Sequence, residues 1–336
     1  MSQVSGTERQ GRHRSLLKRS RSVLFAYVIL LVALVLFAVN QNDFLTKYGP
    51  QSIFNQVITL CVVALSQTLV VLIAGIDLSV GAMVGLTNSI AATIMSPLIH
   101  VAGSEPAGVL ATMIVVLAIG TACGLVNGAV VVYGRLQPII VTLATASVFT
   151  GVAMYIRPSP GGVVSSGYAR ALSGRLFDVI PVSALVLLGL IVFVWIPLRR
   201  TRFGQSMYSI GGNELSAFLS GIRVNRAKLI VYALSGLFCA LAGLLLTAQT
   251  ASGDPIGSSQ FTLDSVAAVV LGGAALSGGK GTYAGSVAGA FILSLILGLL
   301  IFWGVPSFYQ AAVEGFILII ALAFAFLQAG RQRAGA

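Results

Sequence analysis

Few side chains in this sequence could do chemistry in an apolar setting. Asp77, Asp264 and Glu314 are the acids in or beside long apolar runs, out of nine acids in all. The two histidines, His13 and His100, do not form an HExxH zinc pair. No GxSxG elbow presents a nucleophilic serine. Three acids are too few for a proton relay of paired carboxylates through a membrane. The apolar runs instead carry neutral polar groups: Gln67, Thr68, Thr87, Asn88, Ser89, Asn127, Thr142, Thr145, Ser147 and Gln249. Amides and hydroxyls of this kind suit an uncharged, hydroxyl-rich solute. They serve equally well as hydrogen-bonding glue between helices.

Two polar breaks interrupt the apolar runs in a similar way. The first is Gly75-Ile76-Asp77-Leu78-Ser79-Val80-Gly81; the second runs from Gly272 through Leu276-Ser277-Gly278-Gly279-Lys280 to Thr282. Each contains Leu-Ser-x-Gly, and Ser79 and Ser277 are placed to cap the helix that follows. Irregular backbone at membrane depth is tolerated where protein buries it or water reaches it. Each break is therefore either an ordinary turn or the lining of a transport path or its gate. Gly75, Asp77, Ser79, Asn88, Asp264, Ser277 and Gly279 are the candidate path or gate residues. Residues Ala274 to Gly281 mimic a phosphate-binding loop. Ala274 replaces its first glycine, however, and Gly281 replaces the hydroxyl residue that binds magnesium. Leu276-Ser277-Gly278-Gly279 likewise mimics an ATPase signature. Neither is accepted as a nucleotide site, and no cofactor or metal is expected on this chain.

The elements that must hold these residues are spans of a membrane. The 336 residues are 57% hydrophobic and 9% charged, whereas soluble proteins carry about 25% charged residues. The sequence reads as an all-α polytopic membrane protein. Runs of about 20 apolar residues give about ten spans, at 23–40, 52–74, 79–98, 107–132, 138–156, 181–198, 229–250, 262–276, 282–303 and 309–327. Residues 23–328 form one transmembrane domain between a basic tail, 1–22, and a short tail, 329–336. The first run is too long for a signal peptide and lacks a small-residue cleavage site. Cys61, Cys123 and Cys239 each lie in an apolar run and read as small buried residues. Gly120, Gly124 and Gly128, and likewise Gly281, Gly285 and Gly289, recur at every fourth position and predict close helix contacts.

The net charge of +11 does not indicate nucleic-acid binding, because the basic residues cluster at the ends of apolar runs. With the N-terminus inside, the inner segments hold Arg9, Arg12, Arg14, Lys18, Arg19, Arg21, Arg135, Lys280, Arg331, Arg333 and the six bases of a central loop, 199–228. The outer segments hold only Lys47, Arg157, Arg170 and Arg175. Both termini are thus expected in the cytoplasm.

The central loop contains a short amphipathic helix. Asn213 is its cap and Glu214 complements the dipole of its first turn. Leu215, Phe218, Leu219 and Ile222 form one apolar stripe, and Gly221 is a place for the helix to end. The stripe either packs back on the bundle or lipid interface, or docks into a groove of another protein.

Four motifs, in order, resemble the permease subunits of ribose-type ABC sugar importers. They are Gly75 to Gly81; Thr201-Arg202-Phe203-Gly204; Gly211-Gly212-Asn213-Glu214 with Leu219-Ser220-Gly221-Ile222; and Leu263-Asp264-Ser265-Val266-Ala267-Ala268-Val269-Val270-Leu271-Gly272-Gly273. The resemblance covers roughly residues 50–325. It implies a permease bundle paired with a second permease, identical or homologous. It implies a cytoplasmic ABC ATPase that binds ATP and magnesium, often with two fused nucleotide-binding domains, and a periplasmic sugar-binding protein. Gly212, Asn213, Glu214, Leu215, Phe218, Leu219 and Gly221 would then form the coupling helix seated on the ATPase. The location implied is the bacterial inner membrane. Phe218 stands where the family commonly has a basic residue, Thr262 where it has an acid, Ala74 where it has Gly and Ser277 where it has Ala. The rival reading is a transporter or facilitator of a small neutral solute that works alone, which leaves the stripe without a partner.

Overall fold

The computed structural model describes residues 27–40, 49–306, 308–310, 312–320 and 323. The tails at 1–22 and 329–336 and the turn with Asp43 and Lys47 lie outside the described residues. Among the described residues the chain is mainly helical, with one small hairpin of β1 (Arg175–Leu176) and β2 (Ile180–Pro181).

Seven helical segments among the described residues are long and apolar enough to cross a membrane. They are α2 (Gly49–Leu72), α3 (Val80–Ala102), α4 (Glu105–Tyr133), α5 (Pro138–Ile156), the composite Val182–Arg200, α11 (Val224–Thr250) and α13 (Tyr283–Phe302). The composite joins α7 (Val182–Gly189) to α8 (Ile196–Arg200) through a π-helical stretch, Leu190–Trp195. Three further apolar runs form shorter helices: α1 (Tyr27–Asn40), α12 (Phe261–Leu271) and α14 (Phe308–Ile320). The run at 262–276 stops early because the chain turns at Gly272, and Gly273 takes a φ of 80°.

Local signals account for most helix ends. Glu105 and Pro106 open α4, where a carboxylate meets the helix dipole and proline lacks only an N–H that would have had no partner. Gly103 closes α3 in the left-handed conformation. The Thr282 hydroxyl accepts from the Gly285 amide and caps α13. Ser277 does not cap it, being five residues upstream in an exposed turn.

The core is built around α2, which is almost wholly enclosed, and α11, which packs on α2, α3 and α4. Small residues allow this. A Cβ on Gly124 would lie 2.1 Å from the Tyr232 carbonyl oxygen, and one on Gly120 would lie 2.6 Å from that of Gly236. The α4 and α11 backbones are therefore in direct contact. On the other side, α12 meets α13 at Gly285 and Gly289, whose Cβ atoms would lie 2.1 Å from Gly272 O and 2.0 Å from Ala268 O. Gly281 does not belong to this stripe, since it lies in the turn before α13 with a φ of 149°.

The connections gather at two ends. At one end α6 (Ser166–Ser173) packs beneath its loop, where the Tyr168 hydroxyl donates to Leu244 O at 2.7 Å. Gly161 and Gly253 exchange backbone hydrogen bonds there. At the other end the two polar breaks meet the end of α9 (Arg202–Gly212), which leads into α10 (Glu214–Leu219).

Candidate coupling helix and gate

The 199–228 loop holds two helices, where the sequence pattern predicts one. Thr201 accepts from the Gly204 amide at 3.0 Å and caps α9, while Gly211 and Gly212 extend it as helical residues. Asn213 is extended, with φ −161°, and forms the joint between α9 and α10. Its Oδ1 accepts from the Ser216 amide at 2.8 Å. The Glu214 carboxylate accepts from Lys228 Nζ at 2.7 Å.

Leu215, Phe218 and Leu219 are 67%, 65% and 75% exposed, while Ala217 faces inward. Ile222 does not complete the stripe. The helix ends at Leu219, Gly221 turns the chain with φ 81°, and Ile222 then packs against the core. Gly212 is exposed, with open space where a side chain would be.

Asp77 lies in the first break and is fully buried. Its Oδ1 accepts from the Ser79 amide at 2.9 Å and the Ser79 hydroxyl at 2.6 Å, and its Oδ2 accepts from Ser235 Oγ at 3.2 Å. A hydroxyl has one proton to give, so each serine, having donated to Asp77, can only accept in its other bonds. Ser79 accepts from Asn127 Nδ2 at 2.8 Å, and Ser66 lies 2.7 Å from Ser235 with Cys239 Sγ 3.4 Å behind it. Two donor chains, Asn127 to Ser79 and Cys239 through Ser66 to Ser235, converge on one carboxylate. Ser79 thus turns its side chain to Asp77 and makes no cap to α3.

Gly75 beside this network is held by space. A Cβ there would lie 2.9 Å from Val70 Cγ1 and 3.2 Å from the Tyr232 hydroxyl. Thr142 ties the same break to α5, accepting from the Leu78 amide at 3.0 Å. The Tyr232 hydroxyl, Asn127 Oδ1 and both amide atoms of Gln67 are buried without a hydrogen-bond partner.

Of the other candidates drawn from the sequence, Gly279 comes close to this point, whereas Asn88, Asp264 and Ser277 do not. Asn88 sits about two turns into α3, where Nδ2 donates to Thr247 Oγ1 and Ser252 O, both at 3.2 Å, and Oδ1 accepts from the Asp254 amide at 2.6 Å. It clamps α3 to α11 and to the loop that follows α11. Asp264 is buried in the first turn of α12. Thr262, two residues before it, accepts from the Gly81 amide at 3.2 Å and joins α12 to α3. Gly279 lies beside the first break, with its amide donating to Leu72 O at 3.1 Å. Among the other neutral polar groups, Thr68 reaches Ser286 at 2.7 Å and Gln249 reaches Thr59 at 3.2 Å, bonds that tie helices together, whereas Thr87 and Thr145 bond within their own helices.

Ser66, Tyr232, Ser235 and Cys239 were not singled out from the sequence as surrounding Asp77. Tyr232, Ser235 and Cys239 recur at three- and four-residue steps in an apolar run, which puts them on one helix face. That spacing was the available signal.

Comparisons with known proteins agree with this architecture. Residues 49–322 match a family described as the permease component of a branched-chain amino acid transport system. The chain is 37% identical over 295 residues to the ribose import permease protein of Bacillus subtilis (strain 168), covering 87% of this chain and 89% of that one. It is 36% identical over 303 residues to the ribose import permease protein of Escherichia coli (strain K12), covering 88% and 91%. It is 32% identical over 323 residues to the galactose/methyl galactoside import permease protein of the latter strain, covering 91% and 95%. No solved structure matches significantly. The matched span, the motif order and the apolar helices agree: the chain belongs to this family of multi-pass transport permeases, as a relative of the ribose and galactose import permeases.

Proposed function

We propose that this chain is the membrane permease of an ATP-driven importer. It carries a monosaccharide, or a small polyol or furanose of similar chemistry, from periplasm to cytoplasm across a bacterial inner membrane. Sugars are what its relatives are named for importing. A second permease copy or homologue completes the path. A cytoplasmic ABC ATPase, with its nucleotide-binding domains fused or separate, binds ATP and magnesium, and a periplasmic binding protein delivers the solute. Both termini lie in the cytoplasm, as the distribution of Lys and Arg supports.

One observation carries this reading. Leu215, Phe218 and Leu219 stand exposed on α10, a short helix capped by Asn213 and braced by Lys228. Three large apolar side chains on a firmly positioned helix, beside Arg223 and Arg226, fit a groove in a soluble partner. ATP draws the partner's two domains together, α10 moves with them, and the path between the permeases opens outward. Hydrolysis returns it inward. The permease makes and breaks no bond; it supplies two packings whose balance the ATPase shifts. The breaks around Asp77 and Gly279 serve as the inner gate, with Asp77 as the buried pin of its first half.

The test is reconstitution in vesicles with a partner ABC ATPase and a periplasmic sugar-binding protein. The expected result is solute uptake that requires ATP and all three components. Uptake by the permease alone would identify a facilitator instead.

A further inference from the structure

We propose that motion of α10 enters the bundle through a backbone clasp centred on Gly211, which joins both polar breaks to α9 as one moving unit. The proposal rests on the function proposed above, in which α10 seats on the ATPase. Asn213 is the only residue between α9 and α10, so a displaced α10 pulls on the end of α9. At that end the chain is held by main chain, with no side chain between. A Cβ on Gly211 would lie 1.9 Å from Leu72 O and 2.5 Å from the Gly279 amide nitrogen. That amide itself donates to Leu72 O. The three segments meeting here are the end of α2, which opens the first break; Gly278 and Gly279, the tightest part of the second; and the last turn of α9.

The fit depends on glycine on both sides. Gly278 and Gly279 take φ values of 85° and 69°. A Cβ on Gly278 would lie 2.7 Å from Ala74 Cβ and 2.8 Å from Gly211 O, and one on Gly279 would lie 2.8 Å from the Gly212 nitrogen. One turn earlier the Tyr208 hydroxyl donates to Gly281 O at 2.9 Å, a second tie from α9 to the same break. Side chains can absorb a small displacement by changing rotamer, whereas backbone in contact with backbone cannot. A pull on α9 therefore displaces the Leu72 to Ser79 and Gly272 to Thr282 segments together.

The experiment uses the assembled permease and ATPase, with a reporter cysteine in the second break (Ser277→Cys) and Cys123→Ser in the background. The readout is the change in maleimide labelling rate when ATP and vanadate trap the ATPase. Gly211→Ala should leave ATPase co-purification intact and reduce that change roughly tenfold, the order an overpacking penalty produces when it falls on one of two states. Gly151→Ala, whose Cβ would meet nothing within 4 Å, should respond as the parent does. If Gly211→Ala does not accumulate, Tyr208→Phe decides. It adds no volume, removes the bond to Gly281, and should weaken the response severalfold. A full response in an assembled Gly211→Ala complex overturns the clasp and leaves the docking reading standing, as does a full response in Tyr208→Phe or an equal loss in Gly151→Ala. Failure of the parent chain to bind the ATPase overturns both.

Discussion

Lys228, in the second turn of α11, places its Nζ 2.7 Å from Oε1 of Glu214, fourteen residues earlier at the head of α10. The contact adds a side-chain tie to a six-residue helix whose inward face is the buried Ala217. As a half-exposed ion pair it adds at most about 1 kcal/mol to folding. Its value lies in aiming Leu215, Phe218 and Leu219 outward. Glu214→Lys puts two cations face to face at a helix N-terminus, where positive charge is disfavoured. Membrane insertion should be unaffected, and solute-stimulated ATP hydrolysis by the complex should be lost. Stimulation at the parental level would mean that Glu214 takes no part in coupling.

Phe218 is mostly exposed and packs on little of its own chain. Phe218→Ser should change the permease's thermal stability by less than about 0.5 kcal/mol. If the side chain fills a pocket on the ATPase, its loss should weaken assembly by about 2 kcal/mol, roughly thirtyfold. Titrating labelled ATPase onto detergent-solubilised permease measures this directly. A parental dissociation constant would show that the α10 face is not the docking surface.

Removing the Asp77 carboxylate strips the shared acceptor from two donor chains. Asp77→Ala leaves the Ser79 and Ser235 hydroxyls facing an empty position, at a cost of about 1–3 kcal/mol. The complex should still assemble, with lowered uptake, because the first break loses its pin. Uptake in vesicles together with co-purification of the ATPase separates the two effects. Normal uptake would reduce Asp77 to an ordinary turn residue.

Ala74 holds a left-handed conformation with φ 61° and an exposed side chain. Such a conformation costs a non-glycine residue roughly 1–2 kcal/mol, partly offset by glycine's greater backbone entropy when unfolded. Ala74→Gly should therefore raise thermal stability by about 0.5–1 kcal/mol. Calorimetry or a thermal shift in detergent would register it, and a lower melting temperature would contradict it.

Gly124 is one of the glycines at which α4 and α11 touch, and a Cβ there would lie 2.1 Å from the Tyr232 carbonyl oxygen. Gly124→Ala should separate them and destabilise the bundle by about 1–3 kcal/mol. Unchanged melting behaviour would mean that the helices can shift apart freely.

Much of this protein follows from one-dimensional pattern. Apolar runs longer than a soluble helix needs, with charges confined to their ends, specify a membrane bundle because hydrocarbon admits little else. Gly120, Gly124 and Gly128 at four-residue spacing marked the face of α4 that a neighbour approaches, without showing that the neighbour is α11. The sequence Asn213-Glu214 marked the start of α10, since capping is a local interaction between neighbours in the chain. The helix α9 was not legible, and although Gly221 marked a place for α10 to end, the periodicity carried the stripe one residue too far, to Ile222. Gly211 and Gly212 resemble a break until α9 is seen to continue through them, and Ile222 fits a helical period until Gly221 turns the chain away from it.

Tertiary structure alone decided which distant residues meet. Ser66 and Ser235 are 169 positions apart, and nothing local in either run marks them as one pair behind Asp77. The two breaks look alike in sequence, but likeness does not imply contact. That Gly279 donates to Leu72 O, with Gly211 fitted against both, follows from the way α2, α9 and α13 pack. Periodicity determines which face of a helix is buried. Which other helix covers that face depends on how all the faces fill space together, and no single stretch of sequence contains that information.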